Sequence, residues 1–172
     1  MVDILNLHFN QRKNGGNDMD WFLALLAITV IVRGLGAGII YDVALVSLPM
    51  RRQIGVIQYS RYIRANFEGN GTKTYVTVSI AGALLTIAVT IGLFTGEFSQ
   101  IVFWSVIISF ISTVIAFIGT SRALPAMLSL RGAPDDEKQI SEILNRFAYW
   151  HTFSTVWQVI SFIALVVALA NY

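Results

Sequence analysis

Two charged residues stand inside the first apolar run of the chain, IVRGLGAGIIYDVALVSLPMRR at residues 31–52: Arg33 and Asp42. A charge at the centre of a bilayer costs a few kcal/mol or more, so such residues are paired, buried in a helix bundle or functional. Arg122 and His151 fall near the ends of later apolar runs and offer matching chemistry. Aspartate, arginine and histidine at one depth can satisfy one another as an ion pair with hydrogen bonds. For His151, which follows Tyr149 and Trp150, the alternatives are an interfacial anchor and a catalytic or ligand-binding role.

The 172 residues are 55% hydrophobic and only 13% charged, with a mean hydropathy of +0.65. Soluble domains carry about a quarter charged residues. Here the apolar residues also cluster into runs, the pattern of a polytopic membrane protein. The absence of cysteine excludes disulfides, thiolate metal sites and cysteine nucleophiles. A net charge of +2 is too small to indicate nucleic-acid binding. The start of the chain lacks the basic, apolar and small-residue pattern of a signal peptide, so the first apolar run is expected to be retained.

Four runs reach the roughly 20 apolar residues that cross a bilayer: residues 21–48, 75–94, 101–128 and 147–170. Pro49, Gly96 and Pro134 punctuate their ends. Between the first two, MRRQIGVIQYSRYIRANFEGNG interleaves Arg51, Arg52, Arg61 and Arg64 with Ile54, Ile57 and Tyr62, which reads as a basic amphipathic helix at the membrane surface. Asp135, Asp136 and Glu137 after Pro134 suit a helix start, so the fourth helix is expected from near residue 135. Residues 1–20, with their KNGGND stretch, are expected to be an extracytoplasmic tail, largely a loop with a short interfacial segment at 4–9. Residues 21–172 are expected to be one transmembrane domain. Lysine and arginine concentrate in 49–74 and 129–146 and are missing from TGEFSQ, which places the two basic connections in the cytoplasm and both termini outside. The expected fold is all-α, a four-transmembrane-helix antiparallel bundle with an interfacial helix between helices 1 and 2.

Depth then sorts the polar residues. At about 1.5 Å of rise per residue, Arg33 lies roughly 18 Å below the outer end of helix 1, near the midplane. Thr86, Ser112, Thr113 and Gln158 come to a similar level, and Asp42, Arg122 and His151 form an inner layer in which Asp42 and Arg122 are expected to pair. No acid reaches the depth of Arg33, which leaves its charge to be neutralised from elsewhere: a bound compound, a lipid or another subunit. Stripes of small residues, such as Gly34, Gly38 and Asp42, mark close helix packing. His151, Ser154, Thr155 and Gln158 share a face of helix 4, being 3, 4 and 7 apart.

No metal site is expected, because His8 and His151 lie at opposite ends of the membrane. No phosphate loop, HExxH or nucleophile motif is present. NGT at 70–72 falls in a cytoplasmic connection, out of reach of glycosylation.

GLGAGIIYDVALVSLPMRR, RYIRANFEGNG and NRFAYWHTFSTVWQVISFIALVVAL, in that order, resemble the DUF1772, or anthrone oxygenase-like, family of small four-helix membrane proteins. The resemblance implies oxidation or binding of a flat hydrophobic, anthrone- or quinone-like compound with no metal, flavin or other cofactor. In that chemistry Asp42 or His151 would be the base. Arg33 and Gln158 would hold the enolate oxygen, and Tyr41 and Trp157 would flank the ring. Two other classes compete. One is an accessory structural subunit of a larger membrane complex, with Arg33 paired to a partner's carboxylate or to lipid; co-purifying partners would favour it, whereas a homo-oligomer would favour the enzyme or binder. The other is a small transporter or channel, against which stands the lack of paired, interrupted helices with repeat symmetry.

Overall fold

A computed structural model describes the backbone of residues 2–172 and the side chains from residue 21 onward, except those at 67 and 72. Every element it contains is helical: α1 (Val2–Asp42), a π-helical stretch (Val43–Ser47), α2 (Leu48–Ile54), α3 (Val56–Glu68), α4 (Gly71–Gly92), α5 (Gln100–Ser129) and α6 (Glu137–Ala170), with short 3₁₀ turns after α4 and α5. Four stretches, Trp21–Ile54, Lys73–Thr95, Gln100–Gly132 and Glu137–Ala170, are long and apolar enough to cross a membrane. Only about a third of the residues in each apolar core are buried by the protein itself. Ile28, Leu35, Leu84, Phe94 and Phe117 point outward and are exposed. Apolar cover of this extent is not tolerated in water and is what lipid-facing helices require, which supports a multi-pass integral membrane protein.

Local chemistry explains the helix ends. Asp136 caps α6, its carboxylate accepting from the Gln139 amide at 2.7 Å, and Ser99 caps α5 in the same way at 3.3 Å. The first span does not simply stop at Pro49. Proline lacks an N–H and its ring collides with the carbonyl four residues back. Just before it, the helix widens by one residue, so that the Leu48 amide bonds to the Val43 carbonyl, five residues away. The basic amphipathic segment is likewise divided. Gly55, at φ 84°, is the one described residue with positive φ and breaks it into α2 and α3. The loop expected within residues 1–20 is helical instead, continuous with α1. Extending a helix that already exists adds a hydrogen bond per residue without a new nucleation step, which outweighs two glycines.

Two apolar clusters hold the long helices together. One gathers Phe22 and Leu26 of α1, Val89 of α4, Val102 and Val106 of α5 and Leu165 of α6. The other gathers Leu48, Tyr59 and Ile63, the α5 residues Ala123 and Ala126, and Ile140, Leu144 and Phe147 of α6. Helices α5 and α6 touch most closely at Gly119, where an added Cβ would lie 2.9 Å from the Phe153 ring and 3.2 Å from the Ser154 Cα. The approach lets Ser154 donate to the Ala116 carbonyl of α5 at 2.9 Å. Small residues serve this purpose in membranes, where contact rather than water expulsion drives helix association.

α3 is laid across one end of the assembly and tied down by its arginines. Arg61 and Arg64 bond the two oxygens of Asp135 at 2.8 and 3.1 Å, and Arg64 also reaches the Ala133 carbonyl at 2.8 Å. Tyr59 is wholly buried beneath, its hydroxyl 3.2 Å from that of Ser47, and burial raises its pKa. Chiefly the Arg61 hydrogen bond holds the Asp135 carboxyl below the usual carboxylate range. A carboxylate with a lowered folded pKa stabilises the tie above its ordinary value and loses that contribution as pH falls through the lowered one. The protection factors of the α3 amides, relative to their intrinsic exchange rates, are therefore expected to fall below the ordinary carboxylate pKa in the wild type, and to be low at every pH in Asp135→Asn. Gly119→Leu should separate α5 from α6 and lower stability by about 1–3 kcal/mol, read as thermal unfolding in detergent.

Candidate functional site

All four long helices meet at Arg33. The residue keeps only 6% of its surface exposed. Its Nη2 donates to the Thr113 hydroxyl of α5 at 3.0 Å and the Ser161 hydroxyl of α6 at 2.7 Å. Ser161 in turn bonds Ser109 at 2.8 Å. Gly82 of α4 makes the room, for a Cβ there would sit 2.9 Å from the Arg33 Cδ. The Arg33 Nε is buried with no partner, and among the described residues no carboxylate forms an ion pair with the guanidinium. Hydroxyls can orient a cation but cannot cancel its charge. Burial also removes the guanidinium from the outer surface of the helices, where a neighbouring subunit's carboxylate would have to meet it.

Beyond Arg33 on the α3 side lies a cavity of about 170 Å³ walled by α1, α3, α4, α5 and α6. Its polar lining includes Asp42, Ser47, Asn66, Tyr75, Ser79, His151, Ser154 and Gln158, and Phe147, Ala123, Leu124 and Met127 supply apolar wall. The His151 ring stacks on Phe147, centroids 5.0 Å apart. Its Nε2 lies 3.2 Å from the Ile40 carbonyl. A carbonyl can only accept, so Nε2 carries the proton and Nδ1 is left with a lone pair. Asp42 sits where α1 gives way to the π-helical stretch, an irregularity frequent at functional sites. Gln158 donates to Ser154 at 3.3 Å, and Ser154 also bonds Thr120 at 2.9 Å. Val76 and Ser79 of α4 and Thr120 and Leu124 of α5 line the cavity yet are exposed, which puts an opening on the side between these two helices.

Asp42, His151 and Gln158 thus share one cavity, and Arg33 stands just outside it. Three expectations change. Asp42 and Arg122 do not pair: Arg122 is exposed and its guanidinium lies 5.8 Å over the Trp150 ring. The α5 residues that line the cavity are Thr120, Ala123, Leu124 and Met127, and successive helical residues point about 100° apart, which turns Arg122 away from it. The same rotation removes Tyr41, which is 52% exposed, and Trp157, which lines a shallow outer groove with Tyr149 and Phe153. The rings at the cavity are Tyr62, Tyr75 and Phe147 instead. Thr86, expected beside Arg33, spends its hydroxyl on the Gly82 carbonyl of its own helix at 2.8 Å.

Ser161 is the contact that sequence reading missed. Extending the His151, Ser154, Thr155 and Gln158 stripe by three residues would have reached it. Among the described residues no three histidine or acidic side chains come together to hold a metal, and the side chain of His8 lies outside them. No family model, curated protein or solved structure matches this chain.

The Arg33 charge costs desolvation that its hydroxyl shell does not return. Arg33→Met is expected to fold with equal or higher thermal stability, by up to about 1–4 kcal/mol, as when buried ionic groups give way to apolar ones of similar volume. A variant unfolded in detergent would instead make the Thr113–Arg33–Ser161 bridge a structural necessity.

Proposed function

We propose that this protein is a four-span antiparallel membrane bundle that binds a flat hydrophobic ring compound in the cavity beside Asp42 and His151. The carrying observation is the cavity itself: a mixed polar and aromatic chamber, opening sideways among apolar helix faces that suit lipid. A compound dissolved in the bilayer would reach it without crossing water. The two apolar clusters, joining the beginning of one long helix to the end of the next, support the antiparallel reading. The positive-inside distribution supports cytoplasmic basic connections and outward termini. Arg51 and Arg52 on α2 would then face anionic headgroups.

Volume bounds the ligand. An engineered cavity of about 150 Å³ accommodates benzene, so about 170 Å³ takes one substituted ring, with any further fused ring or tail extending through the side opening. An anthrone- or quinone-like compound of the kind implied by the DUF1772-like reading fits on those terms. If chemistry follows binding, it is oxidation by dioxygen, anthrone and O₂ giving anthraquinone and water. His151 Nδ1 or the Asp42 carboxylate would take the first proton, and no metal or flavin is required.

The test is binding of anthrone and of a short-chain hydroxynaphthoquinone, both able to form an oxyanion, to the purified protein in nanodiscs, followed by tryptophan quenching. Ser79→Phe, whose new ring would occupy the cavity from its open side, should weaken binding at least tenfold while leaving the melting temperature within a few degrees. Dioxygen uptake with anthrone should fall at least a hundredfold in His151→Gln or Asp42→Asn. Equal binding by wild type and Ser79→Phe would overturn the reading.

A further inference from the structure

The buried cation and the cavity belong to one electrostatic unit. Ser79 and Gln158 line the chamber, whereas Gly82, against the Arg33 side chain, and Ser161, bonded to its guanidinium, do not. Each pair is three residues apart on its helix, about 4.5 Å along the axis. The guanidinium therefore sits about one turn behind the wall formed by Ser79 and Gln158. The matrix between is helix backbone and side chain, where charges interact at an effective dielectric nearer 20 than 80. No acid of α1, α4, α5 or α6 offsets the cation at its own level among the described residues. Hydrogen-bond donors point the same way. Ser79 is an exposed residue of the cavity wall whose hydroxyl makes no bond to protein, and Gln158 of α6 brings a carboxamide to the same lining with one N–H directed to Ser154. The single acid that lines the chamber, Asp42, comes from α1. His151 of α6, Tyr62 of α3 and Tyr75 of α4 are the other titratable lining groups, and α5 brings none.

We propose that the cavity is selective for the ionised form of its ligand, a ring-borne phenolate or enolate whose oxygen lies against Ser79 and Gln158 and whose charge is the missing counter-charge of Arg33. This rests on the cavity's being a ligand site, as argued above, and adds the chemical class of what occupies it. A phenol's proton goes to water on binding; a carbon acid such as anthrone gives its proton to His151 or Asp42, as above, and the enolate so formed takes the same place. Asp42, an exposed lining residue nine positions and so about 13 Å along α1 from Arg33, opposes a second negative charge near it. The ligand is thereby oriented with its oxyanion toward Arg33 and any hydrogen-bond donor toward Asp42. Planarity follows from the Phe147–His151 stack and the Tyr62 and Tyr75 walls.

The experiment uses a nitrophenol, whose phenolate absorbs at longer wavelength than the phenol, and its methyl ether, of similar shape and unable to ionise. Both are titrated against the wild-type protein in nanodiscs across the phenol's solution pKa. The nitrophenol is expected to bind with the phenolate spectrum, its affinity rising about tenfold per pH unit until the free phenol is ionised. The ether should bind weakly and without that dependence. Arg33→Gln should raise the bound probe's apparent pKa by about one unit or more, and Arg33→Lys should hold it near the wild-type value. His151 is present in all three proteins, so its own titration cancels in the difference. Should Arg33→Gln fail to fold, the wild-type comparison of phenol with ether decides alone. Binding of the ether with rejection of the phenolate, or a neutral-phenol spectrum at every pH, overturns the proposal but leaves the cavity a ligand site. Failure of both probes, of anthrone and of the hydroxynaphthoquinone to bind removes the ligand site itself.

Discussion

A guanidinium held by two hydroxyls and no carboxylate is the constraint around which the described structure is arranged. Thr113 and Ser161 tie α1 to α5 and α6 through Arg33, and Gly82 gives α4 its place by yielding space to the same side chain. Larger residues at these points would push the long helices apart, and acidic ones would close the charge balance inside the bundle. Neither occurs. The helices are clamped together around an excess of positive charge, in surroundings where charge is felt farther than in water.

The rest of the interior is divided by that clamp. On one side lies the apolar cluster of Phe22, Val89, Val102 and Leu165, which is well filled and offers no chemistry. On the other, the regular path of the first span is interrupted by the π-helical stretch and Gly55, and the helices do not close upon one another. Space and irregular backbone coincide there with four titratable side chains, Asp42, Tyr62, Tyr75 and His151. The α3 segment covers this end through its ties to Asp135 and through Tyr59. The chamber is thus bounded by elements of unequal strength: close helix packing at Gly119 on one wall, solvent-exposed ion pairs across the end.

Much of the fold was legible in the residues. The four apolar runs, the cap at Asp136 and the helical nature of the basic connection each follow from a local rule, hydrophobic length, side-chain capping or periodicity. Depth along each helix was equally readable, because rise per residue is constant, and it set Asp42 and His151 at one level; that Gln158, read at the level of Arg33, lines the same chamber came only from the structure. What failed was rotation. Arg122, Tyr41 and Trp157 are at the right height and face the wrong way, since a single step along a helix turns a side chain through about 100°. The N-terminal loop failed for a different reason: turn propensity at Gly15 and Gly16 is local, whereas helix continuation from residue 21 is cooperative.

The sequence by itself therefore determined the class of protein, the helices and the presence of a deep cation without an acid of its own chain at that level. These depend on composition and on one-dimensional spacing. Only the tertiary structure decided that Arg33 points inward to Ser161 and Thr113, that a cavity stands one turn away, and that Tyr62 and Tyr75 rather than Tyr41 and Trp157 form its walls. Those facts depend on how each helix is rotated against its neighbours. In a chain that is apolar around nearly its whole helical circumference, that rotation is set by a few glycines and hydroxyls scattered over four segments, and it becomes visible only when they are brought together.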